Sequence, residues 1–494
     1  MKTRNGVLAH LVERFHGMEE VRSSNLLHST TKNEKDRKVF LFIFRDTLHI
    51  NILDIQKGGE LMNTRELQMF DYDRMINIIV GYFRAHKYWE GIDAITFAQE
   101  KHGDAMRKSS KLKYFCHPIL VAYLAVLLNL EPEIIATALL HDVIEDAHAD
   151  FTSLPVHSSV QQSVKAITIM KIKPDESKTD TKIRYYGRMD EDIDALVVKM
   201  LDRLTNLTSM VGCLSEEAII KNICETDQKL LPAVKRARRT KSHDFRKKRD
   251  VLFVLQQVLR SINEPLAMLF EVREVERKKH DLARTHARLE GRLEARDETG
   301  SFIYEYPDMA LMYAYEAASD FRKKEFRGSD TLLSASFAIA FGIREDNAIA
   351  TILLGNLPNA DTSGFNQKIQ RAIRRLHPVP LLGETPEKTT ERFYAELSQN
   401  KEALLAKSLY RWSEICYGQV VGEESLSDEE ITTLIRETDN FLIPALDAGR
   451  RNFGEFSSIF EFLMILLRLC YETIAEYKQI SLPPISGFYE GKYV

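Results

Sequence analysis

The stretch Ala136-Thr-Ala-Leu-Leu-His141-Asp142-Val-Ile-Glu145-Asp146-Ala147 sets one imidazole and three carboxylates on consecutive turns of an otherwise apolar helix. Glu145 and Asp146 follow His141 and Asp142 at i+4, so both pairs share one helix face. Charged groups are buried only when they are paired or coordinate a metal ion. The segment is therefore a metal-site candidate. His117 fits the same chemistry at the start of a helix over 119–128, as does Asp202 in Val197-Val-Lys-Met-Leu-Asp202-Arg-Leu-Thr-Asn206, an acid on an apolar helix. Together His117, His141, Asp142 and Asp202 offer two imidazoles and two carboxylates from three helices, leaving positions for water and substrate. Mixed nitrogen and oxygen donors suit Mn²⁺, Fe²⁺ or Zn²⁺, and such an ion activates phosphoryl groups and water. Glu145 and Asp146 are adjacent acids whose charges repel, so they can divide proton donation and acceptance. Arg107, Lys108, Lys111 and Lys113 precede His117 and supply a positive field for phosphoryl oxygens. A second basic group between Lys171 and Arg188 reads as solvated surface. His102 reads as a hydrogen-bonded core residue, and Tyr185-Tyr186 either pack or stack on a base.

The elements that must position these groups are helical. Apolar residues recur at three- and four-residue spacings through 75–101, 117–129, 133–146, 191–210, 215–234, 248–270 and 272–296, and strand alternation is weak. An all-α fold follows. The strongly charged segment 271–300 predicts a solvated helix joining two halves. At 494 residues, 44% hydrophobic and 28% charged, the chain is long enough for two to four domains with real cores. A net charge of −4 argues against general coating of nucleic acid. Five scattered cysteines without C-x-x-C spacing suit free thiols in a reducing compartment. The longest apolar run, 459–471, carries Glu461 and Arg468 and is too short to span a bilayer. With no signal peptide, a soluble cytoplasmic protein without a membrane partner is expected.

The second half repeats the first. Ile135-Ala-Thr-Ala-Leu-Leu140 returns as Ile349-Ala-Thr-Ile-Leu-Leu354. Glu225-Thr-Asp227…Leu-Pro232-Ala233…Arg238-Arg239 returns at nearly the same shift as Glu437-Thr-Asp439…Ile-Pro444-Ala445…Arg450-Arg451. The chemistry does not return. His141-Asp142 becomes Gly355-Asn356, Glu145-Asp146 becomes Asn359-Ala360, His117 falls opposite Thr331 and Asp202 opposite Tyr410. Loss of the whole set together is what a single metal site predicts, and it makes the second copy structural or regulatory.

The order His117…His141-Asp142…Asp202 resembles the HD phosphohydrolase superfamily. Over residues 92–210 the chain looks like the hydrolase domain of RelA/SpoT-type alarmone enzymes and their stand-alone relatives. The matching residues are Ala98…His102-Gly103…Arg107-Lys108-Ser109…Tyr114…His117-Pro118…Val121-Ala122, Leu139-Leu-His-Asp-Val-Ile-Glu-Asp146 and Lys199…Asp202-Arg203-Leu204…Asn206. The resemblance implies Mn²⁺ held by His117, His141, Asp142 and Asp202. It implies that Glu145 and Asp146 assist the attacking water and that Arg107, Lys108 and Asn206 bind substrate. Its activity would be removal of the 3′-pyrophosphate of guanosine polyphosphates, (p)ppGpp. Alternatives are another nucleotide phosphate as substrate, or a nucleotide-responsive binding or regulatory protein. The segment 150–190 fits the family poorly, and no synthetase-like segment follows.

The expected organisation is an upstream extension over 1–61, an active HD domain over 62–270, a charged helical linker over 271–300, a degenerate HD-like repeat over 301–480 and a tail over 481–494. Residues 6–30 resemble the conceptual translation of a transfer-RNA gene, and Lys57–Met62 can be encoded by a ribosome-binding sequence before ATG. Translation is therefore expected to begin at Met62. The two halves are expected to pack as an internal pseudo-dimer.

Overall fold

The computed structural model describes residues 70–107, 113–169, 177–240, 248–272, 282–294, 310–312, 331–357, 361–417 and 426–482. The expected extension over 1–61, the tail from residue 483, Lys108, Lys111, Lys171, Asn359 and Ala360 lie outside these residues. Every regular element among them is helical, and the extended pairing there is an isolated antiparallel bridge between Met106 and Lys113.

Asp71 caps α1 (Tyr72–Ala85) by accepting the Arg74 N–H at 2.9 Å. The 75–101 run is not one helix: it breaks after Ala85 and resumes as α2 (Trp89–His102). Lys87 turns the chain with φ of 57°, and Tyr82 stacks on His86 at 4.1 Å. With neither Gly nor Pro at the break, no local signal announces it. α3 (Cys116–Leu127) is buried nearly all round. α4 (Pro132–Leu140) starts with Pro at the position where a missing N–H costs nothing.

α4 also ends earlier than the apolar spacing predicts. Residues 141–146 form turns beyond the helix. The reason is local: the His141 ring donates through Nδ1 to Ala138 O at 2.7 Å, taking the carbonyl that the Asp142 N–H would claim in a continuing helix. The Asp146 N–H still reaches Asp142 O at 2.9 Å, so the i+4 relation survives.

α5 (Ser158–Ile167) and α6 (Lys178–Glu191) fill the segment that fits the family poorly. α7 (Ile193–Ser209) is the centre of this half, capped by Asp192 and packed against α3, α4 and α5. The 215–234 run becomes α8 (Glu216–Glu225), a π-helical turn over Thr226–Leu230 and α9 (Leu231–Ala237). Pro232 has no N–H to continue the ladder, which explains the wide turn there. α10 (Arg249–Leu269) closes the half on α7.

The charged segment holds α11 (Leu282–Leu293). It is less solvated than its composition predicts: Leu289 and Leu293 are buried, and Arg292 pairs with Asp250 while lying over Phe253. Charge on three sides of a helix does not prevent a leucine edge from packing.

The second half runs α12 (Thr331–Phe341), α13 (Asp346–Leu354), α14 (Gln367–Arg375), α15 (Pro386–Leu397), α16 (Lys401–Tyr417) and α17 (Asp428–Glu437). A second π-helical turn follows over Thr438–Leu442, then α18 (Ile443–Asn452) with Pro444 at its start, and α19 (Ser457–Lys478). The halves exchange their last helices' outer faces. α10 packs across onto α12 and α16, while α19 packs on α16 and across onto α3 and α7. Trp412 Nε1 donates to Ser261 Oγ at 3.1 Å, and Thr473 Oγ1 donates to Thr208 O at 2.9 Å.

The apolar run 459–471 lies inside α19. Its Glu461 is buried between Arg74 (2.8 Å) and Arg450 (3.1 Å). Burial alone would raise that carboxyl's pKa, but the two guanidinium groups outweigh it and lower it. No helix among the described residues is long and apolar enough to cross a membrane.

Candidate metal centre

Three helices bring the ligating groups together. α3 supplies His117 from its first turn, the turns after α4 supply His141 and Asp142, and α7 supplies Asp202 from its buried face. One donor atom each from His117, His141 and Asp202 lies within 4.8 Å of the others, and all three residues are buried. Asp142 joins through Oδ2, at 3.1 Å from His141 Nε2 and 3.7 Å from His117 Nε2. Asp202 Oδ1 lies 3.1 Å from His117 Nε2 and 3.6 Å from His141 Nε2.

Both imidazoles are oriented from behind. Thr205 Oγ1 donates to Asp202 O at 2.9 Å, so at 3.3 Å from His117 Nδ1 it accepts that ring's N–H. His141 Nδ1 is committed to Ala138 O. Each Nε2 lone pair therefore faces the two carboxylates, the usual arrangement of a metal-ligating histidine. His141 Nε2 is buried and has no hydrogen-bond partner. A cation satisfies that orphaned acceptor and both acids at once, so the donor set fits the implied ion.

The acids show the same bias. Lys199 Nζ holds Asp202 Oδ2 at 2.7 Å, leaving Oδ1 to the cluster. Burial favours the neutral acid, yet Lys199, His117 and His141 outweigh it and hold Asp202 well below the ordinary carboxylate range. Burial and the Arg107 guanidinium lower His117 to about 4. Burial opposes protonation of His141 too, but the Asp142 and Asp202 carboxylates prevail and raise it. A proton on His141 thus competes with a cation for one electrostatic position. Divalent-cation affinity is expected to fall as pH falls through the raised titration range of His141, above that of an ordinary imidazole, with proton release on binding. Calorimetry in two buffers of different ionisation enthalpy checks this; affinity independent of pH would contradict it.

The remaining expected residues line the approach. Glu145 is half-buried and accepts the Ile169 backbone N–H, and burial raises its pKa. Asp146 is exposed and accepts from the Tyr114 hydroxyl. Asn206 donates to Asp202 Oδ1 at 2.6 Å and accepts from Arg107 Nη2 at 2.9 Å. Arg107 and Asn206 are thereby joined to the cluster, whereas Lys108 falls outside the described residues.

Lys113 pairs with Asp104, Lys182 with Glu225, and Arg188 donates to Thr168 O. These basic groups serve local structure. Tyr185 and Tyr186 are buried, with Tyr186 donating to Glu225, so packing is their role. His102 is buried as expected, but its Nε2 has no hydrogen-bond partner; the ring stacks on Tyr114 at 4.8 Å.

Three contributors escaped notice in the sequence as site residues: Lys199, Thr205 and Tyr114. Each stands three residues from a ligand, which is the spacing that could have found them.

In the second half, the residues expected opposite His141 and Asp202 are Gly355 and Tyr410. Tyr410 is fully enclosed, and its hydroxyl donates to Ile352 O at 2.5 Å. A Cβ on Gly355 would collide with Leu376 and lie 3.0 Å from Tyr410 Oη. A Cβ at 355 would also lie 2.8 Å from Thr351 O, so a side chain there would crowd both the backbone and the phenol.

Residues 94–225 match the HD domain family model. The chain is 32% identical over 130 residues to the guanosine-3′,5′-bis(diphosphate) 3′-pyrophosphohydrolase of Spiroplasma citri, covering 25% of this chain and 17% of that protein. It is 32% identical over 120 residues to the protein of the same name from Aquifex aeolicus, covering 24% and 17%. Against GTP pyrophosphokinase rsh of Brucella ovis it is 29% identical over 187 residues, covering 36% and 24%. The matched stretch therefore spans no more than about a quarter of these relatives' length.

Proposed function

From the premise that residues 94–225 are an HD domain homologous to guanosine polyphosphate pyrophosphohydrolases, we propose that this chain is a metal-dependent phosphohydrolase. Its substrate in this reading is a guanosine polyphosphate that loses its 3′-pyrophosphate. The observation that carries the reading is His141 Nε2, buried, unpartnered and facing two carboxylates beside a second oriented imidazole.

His117, His141, Asp142 and Asp202 would hold Mn²⁺ or another divalent cation. When bound, the ion supplies Lewis-acid activation of the phosphoryl group and of water. Glu145, fixed by the Ile169 N–H and with its proton affinity raised by burial, suits acceptance of a proton from the attacking water. Water adds to the phosphorus attached to the 3′-oxygen, the bond between them breaks, and that oxygen departs as a hydroxyl once protonated. Asp146 is the second acid at the same edge. Arg107 offers a planar donor fork suited to phosphoryl oxygens, and Asn206 ties that fork to the ligand cluster.

The second half is read as a duplicated copy without activity. Support comes from the matching order of helices, the two π-helical turns before proline-started helices, and the Tyr410 plug. The reciprocal seating of α10 and α19 supports an internal pseudo-dimer.

The test uses the full chain loaded with Mn²⁺ against a nucleotide panel. The expected products from guanosine tetraphosphate are GDP and pyrophosphate. Glu145→Gln is expected to lower kcat by about 10²–10⁴ while retaining the cation. Turnover confined to nucleotides without a 3′-pyrophosphate would replace the substrate assignment with another nucleotide phosphate.

A further inference from the structure

Tyr114 stands in the bridged loop between α2 and α3, and its hydroxyl lies 2.8 Å from Asp142 Oδ2 and 2.5 Å from Asp146 Oδ2. One phenol thus touches a ligand acid and a reaction acid that lie four residues apart on the turns beyond α4. Its ring is fixed in turn. It stacks on His102 with an interplanar angle of 23° and meets His117 edge-on at 6.3 Å. Its backbone N–H donates to Ala105 O at 2.7 Å, and its own carbonyl accepts the His117 N–H at 3.0 Å. The phenol and the His117 ligand are therefore set by one turn of chain.

We propose that Tyr114 is a positioning residue that fixes Asp146 relative to the cation site by sharing its single O–H between the Asp142 and Asp146 carboxylates. The inference rests on the hydrolase reading above and deepens it. Asp146 is exposed, so without a tether its carboxylate would rotate freely into solvent, and a carboxylate must lie within hydrogen-bond reach of the group whose proton it moves. Asp142 supplies Oδ2 to the cluster and accepts from Tyr114 at the same oxygen, so the phenol also orients a ligand. The buried His102 ring is the wall against which the phenol stacks.

Tyr114→Phe removes the hydroxyl and keeps the ring and its stack. In the full chain the melting temperature of the metal-free variant is expected to match wild type. Groups that orient metal ligands are worth about 10–100-fold in affinity or activity. Mn²⁺ affinity measured by calorimetry is therefore expected to weaken about tenfold, and kcat at saturating Mn²⁺ to fall about 10–100-fold with KM nearly unchanged. Wild-type kcat, or a loss appearing in KM alone, would overturn the proposal. If the wild-type chain turns over no guanosine polyphosphate, the hydrolase reading fails separately. Calorimetry then still decides, since equal Mn²⁺ affinity in the two proteins overturns the role of Tyr114 at Asp142.

Discussion

Asp142→Ala is expected to abolish turnover and tight divalent-cation binding while leaving the helical fold intact. Among the described residues Asp142 is one of two acids facing the paired imidazoles, and its Oδ2 approaches both Nε2 atoms. Removing one pre-organised electrostatic contact from an active site costs about 10²–10³ in kcat. Losing a cation ligand removes the source of that field, so a loss of at least about a thousandfold is expected. In the metal-free protein the change removes the Asp202 repulsion but also the His141 pairing that holds Asp142 below the ordinary carboxylate range, so each protein is compared with itself, with and without the ion. The contrast appears in thermal melts. A cation at a hundred times its Kd stabilises the fold by about 2.7 kcal/mol. Wild type should therefore melt several degrees higher with Mn²⁺, and Asp142→Ala should not respond. A variant that keeps both the metal-dependent rise and the activity would contradict a role for Asp142.

Deleting residues 301–494 should be equally severe, for a reason of packing. α19 covers α3 and α7, the helices that carry His117 and Asp202, and α12 with α16 covers α10. Each large apolar side chain returned to water costs about 1.5–3 kcal/mol. Removing α19 exposes the apolar faces of α3 and α7 beneath it, and a few such side chains are comparable to the roughly 5–15 kcal/mol net stability of a folded domain. Arg74 would also lose Glu461. The remaining fragment, residues 1–300, is expected to be insoluble, or to restore the lost cover by pairing with a second copy of itself. Size-exclusion chromatography with light scattering decides: a soluble, monomeric fragment with full metal binding would show that the second half is dispensable for the site.

The parts of this arrangement legible in the sequence were those set by local rules. Helical spacing placed α3, α7 and α10 within a few residues, because their buried faces carry uninterrupted three- and four-residue patterns. His117, His141 and Asp202 stood out because ionisable groups on apolar helices require compensation, and the structure brings them within reach of one another. The boundary errors have particular causes. The break at Lys87 has no glycine or proline to mark it. The early end of α4 comes from a side chain taking a backbone carbonyl, which spacing cannot reveal.

Three-dimensional pairings were out of sequence reach for a different reason. Arg74 and Glu461 are separated by nearly the whole described chain, and no periodicity connects them. The sequence marked Glu461 only as an interruption of an apolar run, whereas its two arginine partners make its burial tolerable. That the second half carries Gly355 and Tyr410 and not an imidazole and an acid was visible in the sequence. Their steric complementarity was not, because it depends on how close Leu376 and the Tyr410 hydroxyl approach a bare Cα.

The most direct measurement is the anomalous-scattering map of a crystal of the full chain grown with Mn²⁺. One peak is expected, in common reach of His117 Nε2, His141 Nε2, Asp142 Oδ2 and Asp202 Oδ1, with none beside Tyr410. A Mn²⁺-saturated protein whose ion lies elsewhere, with those four groups left uncoordinated, would contradict the shared-cation site.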